Sequence, residues 1–176
     1  MDNSFFAYLD RFELMAFFSG YPLIYAIILV IAGNQPAKSG IKNRMASLLP
    51  FAYALVATLY LGLQLRNLYP DYSFENIRQS FQQPYLKAWG LLAIFFWIPA
   101  IARKRVLSLL HSFVFFYLWA KDLFYQQFLA SSVDYLIVKN NMKIYTDSLI
   151  LNLGAFAVIV LLFALLTYYN KRHSRL

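Results

Sequence analysis

The residues LKAWGLLAIFFWIPAIA (86–102) and VLSLLHSFVFFYLWAKDLFYQ (106–126) flank three consecutive cations, Arg103-Lys104-Arg105. Together the two apolar stretches are long enough for one helix. That helix would carry the three cations into the middle of a bilayer, at a cost of ~2.5 kcal/mol or more for each. Turning back at the triplet avoids the cost. The sequence therefore predicts a membrane hairpin with its basic turn at one surface.

The composition supports the same setting. Of 176 residues, 61% are hydrophobic, 19% aromatic and only 14% charged, with mean hydropathy +0.52. A soluble domain carries about 25% charged residues. The predicted fold class is all-α, a polytopic helical membrane bundle occupying residues 1–176 as a single domain. The net charge of +8 is assigned to anchoring at the membrane face rather than to nucleic acid, because Lys and Arg accumulate on cytoplasmic loops. With no cysteine in the chain, thiol catalysis, disulfides and Cys-ligated metals are excluded. The N-terminal MDNSFFAYLDRFE lacks the positive region of a secretory signal, so the first helix is expected to be retained.

Five transmembrane helices are predicted, at about 14–32, 45–65, 86–102, 106–126 and 148–169, with short interfacial segments on the outer side. The first is expected to kink at Gly20 and Pro22, where proline removes a backbone donor. In the second, Ala54, Thr58 and Gly62 form a small-residue stripe suited to close helix contact, and Tyr53, Tyr60 and Gln64 form a more polar face. Between the second and third, Phe74, Ile77 and Phe81 recur at helical spacing, which predicts a short amphipathic helix on the membrane surface. The stretch 127–147 has two readings. Val133–Lys139 and Met142–Thr146 around Asn140-Asn141 suit a small hairpin, while Val133–Val138 suits an interfacial helix. Asp147 or Ser148 is expected to cap the fifth helix.

Charge orients this arrangement. The loop 33–44, the triplet 103–105 and the tail 170–176 comprise 22 residues, with nine of the sixteen Lys and Arg and no acid. The other side, 1–13, 66–87 and 121–147, comprises 62 residues, with seven cations and all eight acids. The positive-inside rule places the first set in the cytoplasm and the N-terminus outside, in what is expected to be the plasma (inner) membrane.

Polar residues within apolar helices are the candidate functional groups. Ser108, His111, Ser112, Phe115, Trp119, Asp122 and Gln126 fall within about 80–100° on one face of a helix. His111 lies ~9 Å along that helix from Arg105, and Asp122 ~16 Å further on. With Glu13 at the outer end of the first span, and Tyr53, Tyr60 and Gln64, they outline a polar seam. One reading is a proton relay or solute cavity. The simpler reading pairs His111 with a nearby backbone group or serine and Asp122 with Lys121 or Arg66, and leaves Glu13 among headgroups. No metal site or cofactor is expected, since His111 and His173 are the only histidines. No nucleotide-binding, hydrolase or metalloprotease motif is present.

The expected function is a non-enzymatic membrane subunit or accessory protein, contacting lipid and either a membrane-protein partner or a second copy of itself. A small-solute binding or transport component opening to the outside is the second expectation, and a membrane-embedded enzyme or proton relay the third. The topology is open to direct test. A reporter fused after Leu176 is expected to report cytoplasm, and one inserted near Asn140 the outside. The reverse pattern overturns the orientation.

Overall fold

The computed structural model describes residues 3–32, 40–70, 72, 73, 75, 84–129 and 135–173. Among these residues all regular structure is helical: α1 (Asn3–Phe18), α2 (Tyr21–Ala32), α3 (Gly40–Leu68), α4 (Pro84–Leu92), a 3-10 segment (Ala93–Trp97), α5 (Pro99–Ala102), α6 (Arg105–Phe124), a π turn (Tyr125–Leu129) and α7 (Tyr135–His173). Four stretches are long and apolar enough to cross a membrane: Arg11–Ile31, Arg44–Leu68, Arg105–Phe128 and Ile137–Arg172. The predicted surface helix around Phe74–Phe81 lies almost wholly outside the described residues.

The first helix departs from its expected start. α1 begins at Asn3 and runs unbroken through the anticipated lead-in, ending at Phe18. The helical path is then interrupted at Ser19 and Gly20 before α2 begins at Tyr21. The break sits against α7. A Cβ at Gly20 would lie 2.7 Å from the Leu149 backbone nitrogen and the Ser148 carbonyl carbon. Glycine is therefore required by close approach here.

The backbone groups released at this break find partners on α7. The Gly20 N–H donates to Ser148 Oγ at 2.9 Å, and Asn152 Nδ2 donates to the Phe17 carbonyl at 2.8 Å. Asn152 Nδ2 is also within 2.8 Å of the Ser148 carbonyl. Ser148 and Asn152 are both buried. Because a hydrocarbon environment offers backbone groups no water, such side-chain partners are what make a broken helix tolerable there. Ser148 is thus an interior residue of α7 and caps nothing.

α7 also decides the question of residues 127–147 for its described part. From Tyr135 the chain is helical straight through Asn140-Asn141, and no strand forms there. Asn141 is buried, and its carbonyl accepts the Trp119 indole N–H at 3.0 Å. Thr146 Oγ1 donates back to the Met142 carbonyl, a local bond compatible with helix. Tertiary contact overrides the strand preference of the β-branched residues.

The basic triplet forms a turn, as the hairpin reading requires. α5 ends at Ala102, Lys104 is non-helical, and α6 starts at Arg105. The arm before it is not one helix. α4 passes into a 3-10 segment at Ala93, and the extended residue Ile98 precedes Pro99, which opens α5. Proline disfavours helical geometry in the residue before it, which accounts for the break at Ile98. This arm also runs obliquely. Trp89, fourteen residues before Arg103, lies beside His111, six residues after Arg105.

α3 is the common neighbour, packing against α1, α2, α4, α6, α7 and the 3-10 segment. α3 and α6 run in the same direction, opposite to α1. Gln64 of α3 meets Glu13 of α1, and Arg11 of α1 meets Asp122 of α6, which places the end of α3 and the end of α6 together. The starts of α3 and α6 share the other end, where Ser47 and Arg105 line one groove. The core between them is aromatic. Phe18 stacks on Phe115 with centroids 4.9 Å apart, and Tyr21 lies 4.4 Å from Tyr53.

The small-residue stripe of α3 is only partly used. Ala54 is fully buried, but Thr58 and Gly62 are exposed, and a Cβ at Gly62 would meet nothing within 4 Å. These two glycines make a matched test. Gly20→Val is expected to lower stability by about 2 kcal/mol through overpacking, read as a fall in melting temperature in detergent. Gly62→Ala is expected to leave it unchanged or slightly raised. Equal effects would remove the Gly20 contact from its central place.

Candidate functional site: a polar seam through the bundle

The structure places the residues of the predicted seam in three separate groups of contacts. Ser108, His111, Ser112, Phe115 and Trp119 all lie on the buried face of α6, as their spacing requires. At the basic end of the bundle, Tyr21 Oη and Ser108 Oγ are 2.8 Å apart, and Ser108 also donates to the Arg105 carbonyl. The next group centres on His111. Its Nδ1 is 2.8 Å from Tyr53 Oη, and its Nε2 is 2.8 Å from the Trp89 carbonyl. Since a carbonyl can only accept, Nε2 carries the proton, Nδ1 is the acceptor, and the Tyr53 hydroxyl donates.

The His111 ring is enclosed as well as bonded. It stacks on the Trp89 indole with centroids 4.7 Å apart and planes 6° from parallel. The Trp89 Nε1 donates in turn to the His111 carbonyl at 3.2 Å. Phe96, Phe115 and Tyr53 surround the ring edge-on or tilted. Both ring nitrogens are therefore committed to fixed partners, which ties α6 to α3 and α4. Ser112 does less, since its hydroxyl returns to the Leu109 carbonyl on its own helix.

The third group lies at the opposite end. Arg11 Nη2 and Asp122 Oδ1 form an ion pair at 2.7 Å, each side chain about three-quarters buried. The partner of Asp122 is thus Arg11, in place of the expected Lys121 or Arg66. Glu13 accepts from Gln64 Nε2 at 3.1 Å, so it faces the bundle rather than standing among headgroups. Tyr60 is buried, with its ring against Phe17 and Phe18. Trp119 stacks on Tyr145 with centroids 4.0 Å apart.

Arg11, Asp122, Tyr125, Gln126, Ile137 and Asn141 enclose a cavity of about 110 Å³. Asn141 is only 2% exposed, and its Oδ1 has no hydrogen-bond partner among the described residues, nor has Arg11 Nε. At roughly 30 Å³ per molecule, the space suits about three waters. It is well below the 300 Å³ or more of a typical ligand pocket. The π turn at Tyr125–Leu129 borders it, widening the end of α6 where Tyr125 and Gln126 face the cavity.

With this geometry established, comparison with known proteins finds no matching family model, no matching curated protein and no matching solved structure. The site is therefore read on its own chemistry. Among the described residues, no three His, Asp or Glu side chains are grouped to hold a metal ion.

Several participants were not singled out from sequence. Arg11 reads as a lone cation in a lead-in, and its pairing depends on α1 starting early. Tyr21, Trp89, Ser148 and Asn152 are ordinary residues of apolar helices until the tertiary contacts appear. Lys87, which reads as the edge of an outer loop, is 3% exposed on α4, where α1 and α3 pack. For Ser148, expected only as a cap, and for Asn152, the available signal was a hydroxyl and an amide four residues apart in an apolar helix.

The seam predicts a graded set of substitutions. His111→Ala removes partners from the buried Tyr53 hydroxyl and Trp89 carbonyl and is expected to cost about 2 kcal/mol. Ser112→Ala, which removes only a bond within one helix, is expected to cost less than about 0.5 kcal/mol. A double-mutant cycle on Arg11 and Asp122 is expected to give a coupling of about 1 kcal/mol. Thermal or denaturant unfolding in detergent measures all three. A negligible His111→Ala effect would contradict the bonding described.

Proposed function

We propose that the chain is a non-enzymatic, five-span membrane subunit or accessory protein. The observation that carries this reading is the closed state of the seam. His111 uses both ring nitrogens in holding helices together, Glu13 and Asp122 each have a partner, and the cavity beside Arg11 and Asp122 is of water size. A catalytic or transport group needs an approach for its substrate, and these residues are committed to packing.

The shared direction of α3 and α6 supports five crossings. α3 ends at one end of the bundle and α6 starts at the other, so the oblique arm Pro84–Ala102 connects opposite ends. The charge asymmetry supports an inner membrane with the N-terminus outside and the C-terminus in the cytoplasm.

A partner in the membrane follows from α7. Its last buried residue among those described is Ile159, and every residue from Leu161 to Arg172 is exposed. Leu161 and Leu165 thus present an exposed apolar surface that no described residue of this chain covers. The absence of cysteine makes it simple to probe. A photocrosslinker placed at Leu165 is expected to capture a protein of the same membrane, either a different subunit or a second copy of this chain. One placed at buried Tyr53 is expected to capture nothing from outside. Crosslinks to lipid alone at Leu165, with a monomer retained in mild detergent, would overturn the subunit reading.

A further inference from the structure

A second cavity lies outside the seam. It is an open groove of about 550 Å³ at the basic end of the bundle, between α3, the 3-10 segment with α5, and α7. Phe51, Trp97, Leu162 and Phe163 contribute apolar wall, and Arg103 and Arg105 are the charged residues in its lining. No carboxylate lines it. The described segments 40–44 and 103–105 at this end contain no Asp or Glu.

Two further features make this rim electropositive. α6 is twenty residues long and begins at Arg105, so its positive end lies at the rim. Its N-cap residue, Lys104, makes no side-chain cap hydrogen bond. The groove therefore combines an apolar slot with a rim of two guanidinium groups and a helix N-terminus. In a helix bundle set in a bilayer, that combination matches a molecule with a hydrocarbon chain at one end and a negative phosphate at the other.

We propose that this groove is a binding site for one anionic membrane phospholipid. An acyl chain lies between α3 and α7 against Phe51, Leu162 and Phe163, and the phosphate is held by Arg103 and Arg105. Guanidinium groups suit this role, since they present paired donors to phosphate oxygens. The broken arm before the triplet shapes the slot. The Ile98–Pro99 break separates Trp97 on the wall from the turn that carries the two arginines. The inference rests on the membrane placement of the bundle and is independent of the partner proposed for the far end of α7.

The test uses the full chain reconstituted in nanodiscs of phosphatidylcholine containing a minority of phosphatidylglycerol. After release into mild detergent, lipids still bound are counted by native mass spectrometry. The wild-type chain is expected to retain one phosphatidylglycerol in preference to phosphatidylcholine. Arg103→Gln and Arg105→Gln are each expected to weaken that preference about fivefold, as for a cation near an anionic surface.

Lys104 lies between them but is not part of the groove lining, so Lys104→Gln is expected to leave the preference intact. Leu162→Trp, at a half-exposed wall position, is expected to reduce retention without altering charge. Equal retention of the two lipids overturns the site. So does an effect of Lys104→Gln as large as that of Arg103→Gln, because that outcome assigns binding to the general charge of the turn. Unchanged retention in Leu162→Trp removes the acyl chain from the groove.

Discussion

The contact between the break in the first helix and the middle of α7 is the constraint on which the bundle rests. Gly20 brings two backbones to a distance that no other residue allows, and Ser148 and Asn152 bond the groups left open by the interruption. Within hydrocarbon, association is not driven by removing apolar surface from water, because lipid is as apolar as leucine. Close packing and satisfied polar groups must supply it. This single contact supplies both, and it fixes α1, α2 and α7 relative to one another.

The polar residues of α6 extend the same logic along the bundle. Tyr21 with Ser108, Tyr53 with His111, and Arg11 with Asp122 join helices that are distant in sequence, each at a different height. A bundle of interchangeable leucines could slide or rotate at little cost. Hydrogen bonds between unlike helices at several levels remove that freedom, since a shift of one turn would break all of them together. The seam thus defines register.

Much of this was legible in sequence, for identifiable reasons. The turn at Arg103–Arg105 followed from the cost of burying three cations, and the buried face of α6 followed from helical spacing. The kink at Gly20 and Pro22 was readable because those residue types break helices. What could not be read was set by contacts between distant segments. The strand preference around Asn140 yielded to packing against Trp119, and Asp122 took Arg11 as its partner because α1 begins earlier than its hydropathy suggests. The third apolar segment read as one helix, but Ile98 and Pro99 divide it. Thr58 and Gly62 continued a convincing stripe, yet both are exposed, with Thr58 meeting the Trp97 indole N–H. Spacing identifies a face of a helix without saying what covers it.

α7 has one more consequence, which is mechanical. Its 39 residues make a rod roughly 58 Å long, about twice the thickness of the hydrocarbon core. The rod is held near one end, by Trp119 at Asn141 and by the first-helix break at Ser148 and Asn152. Ala155, Phe156 and Ile159 extend that hold into the core, and beyond Ile159 roughly 20 Å of rod runs on to His173. A sideways load on that length therefore bears first on the packing of Phe156 and Ile159, before it reaches the divided first helix.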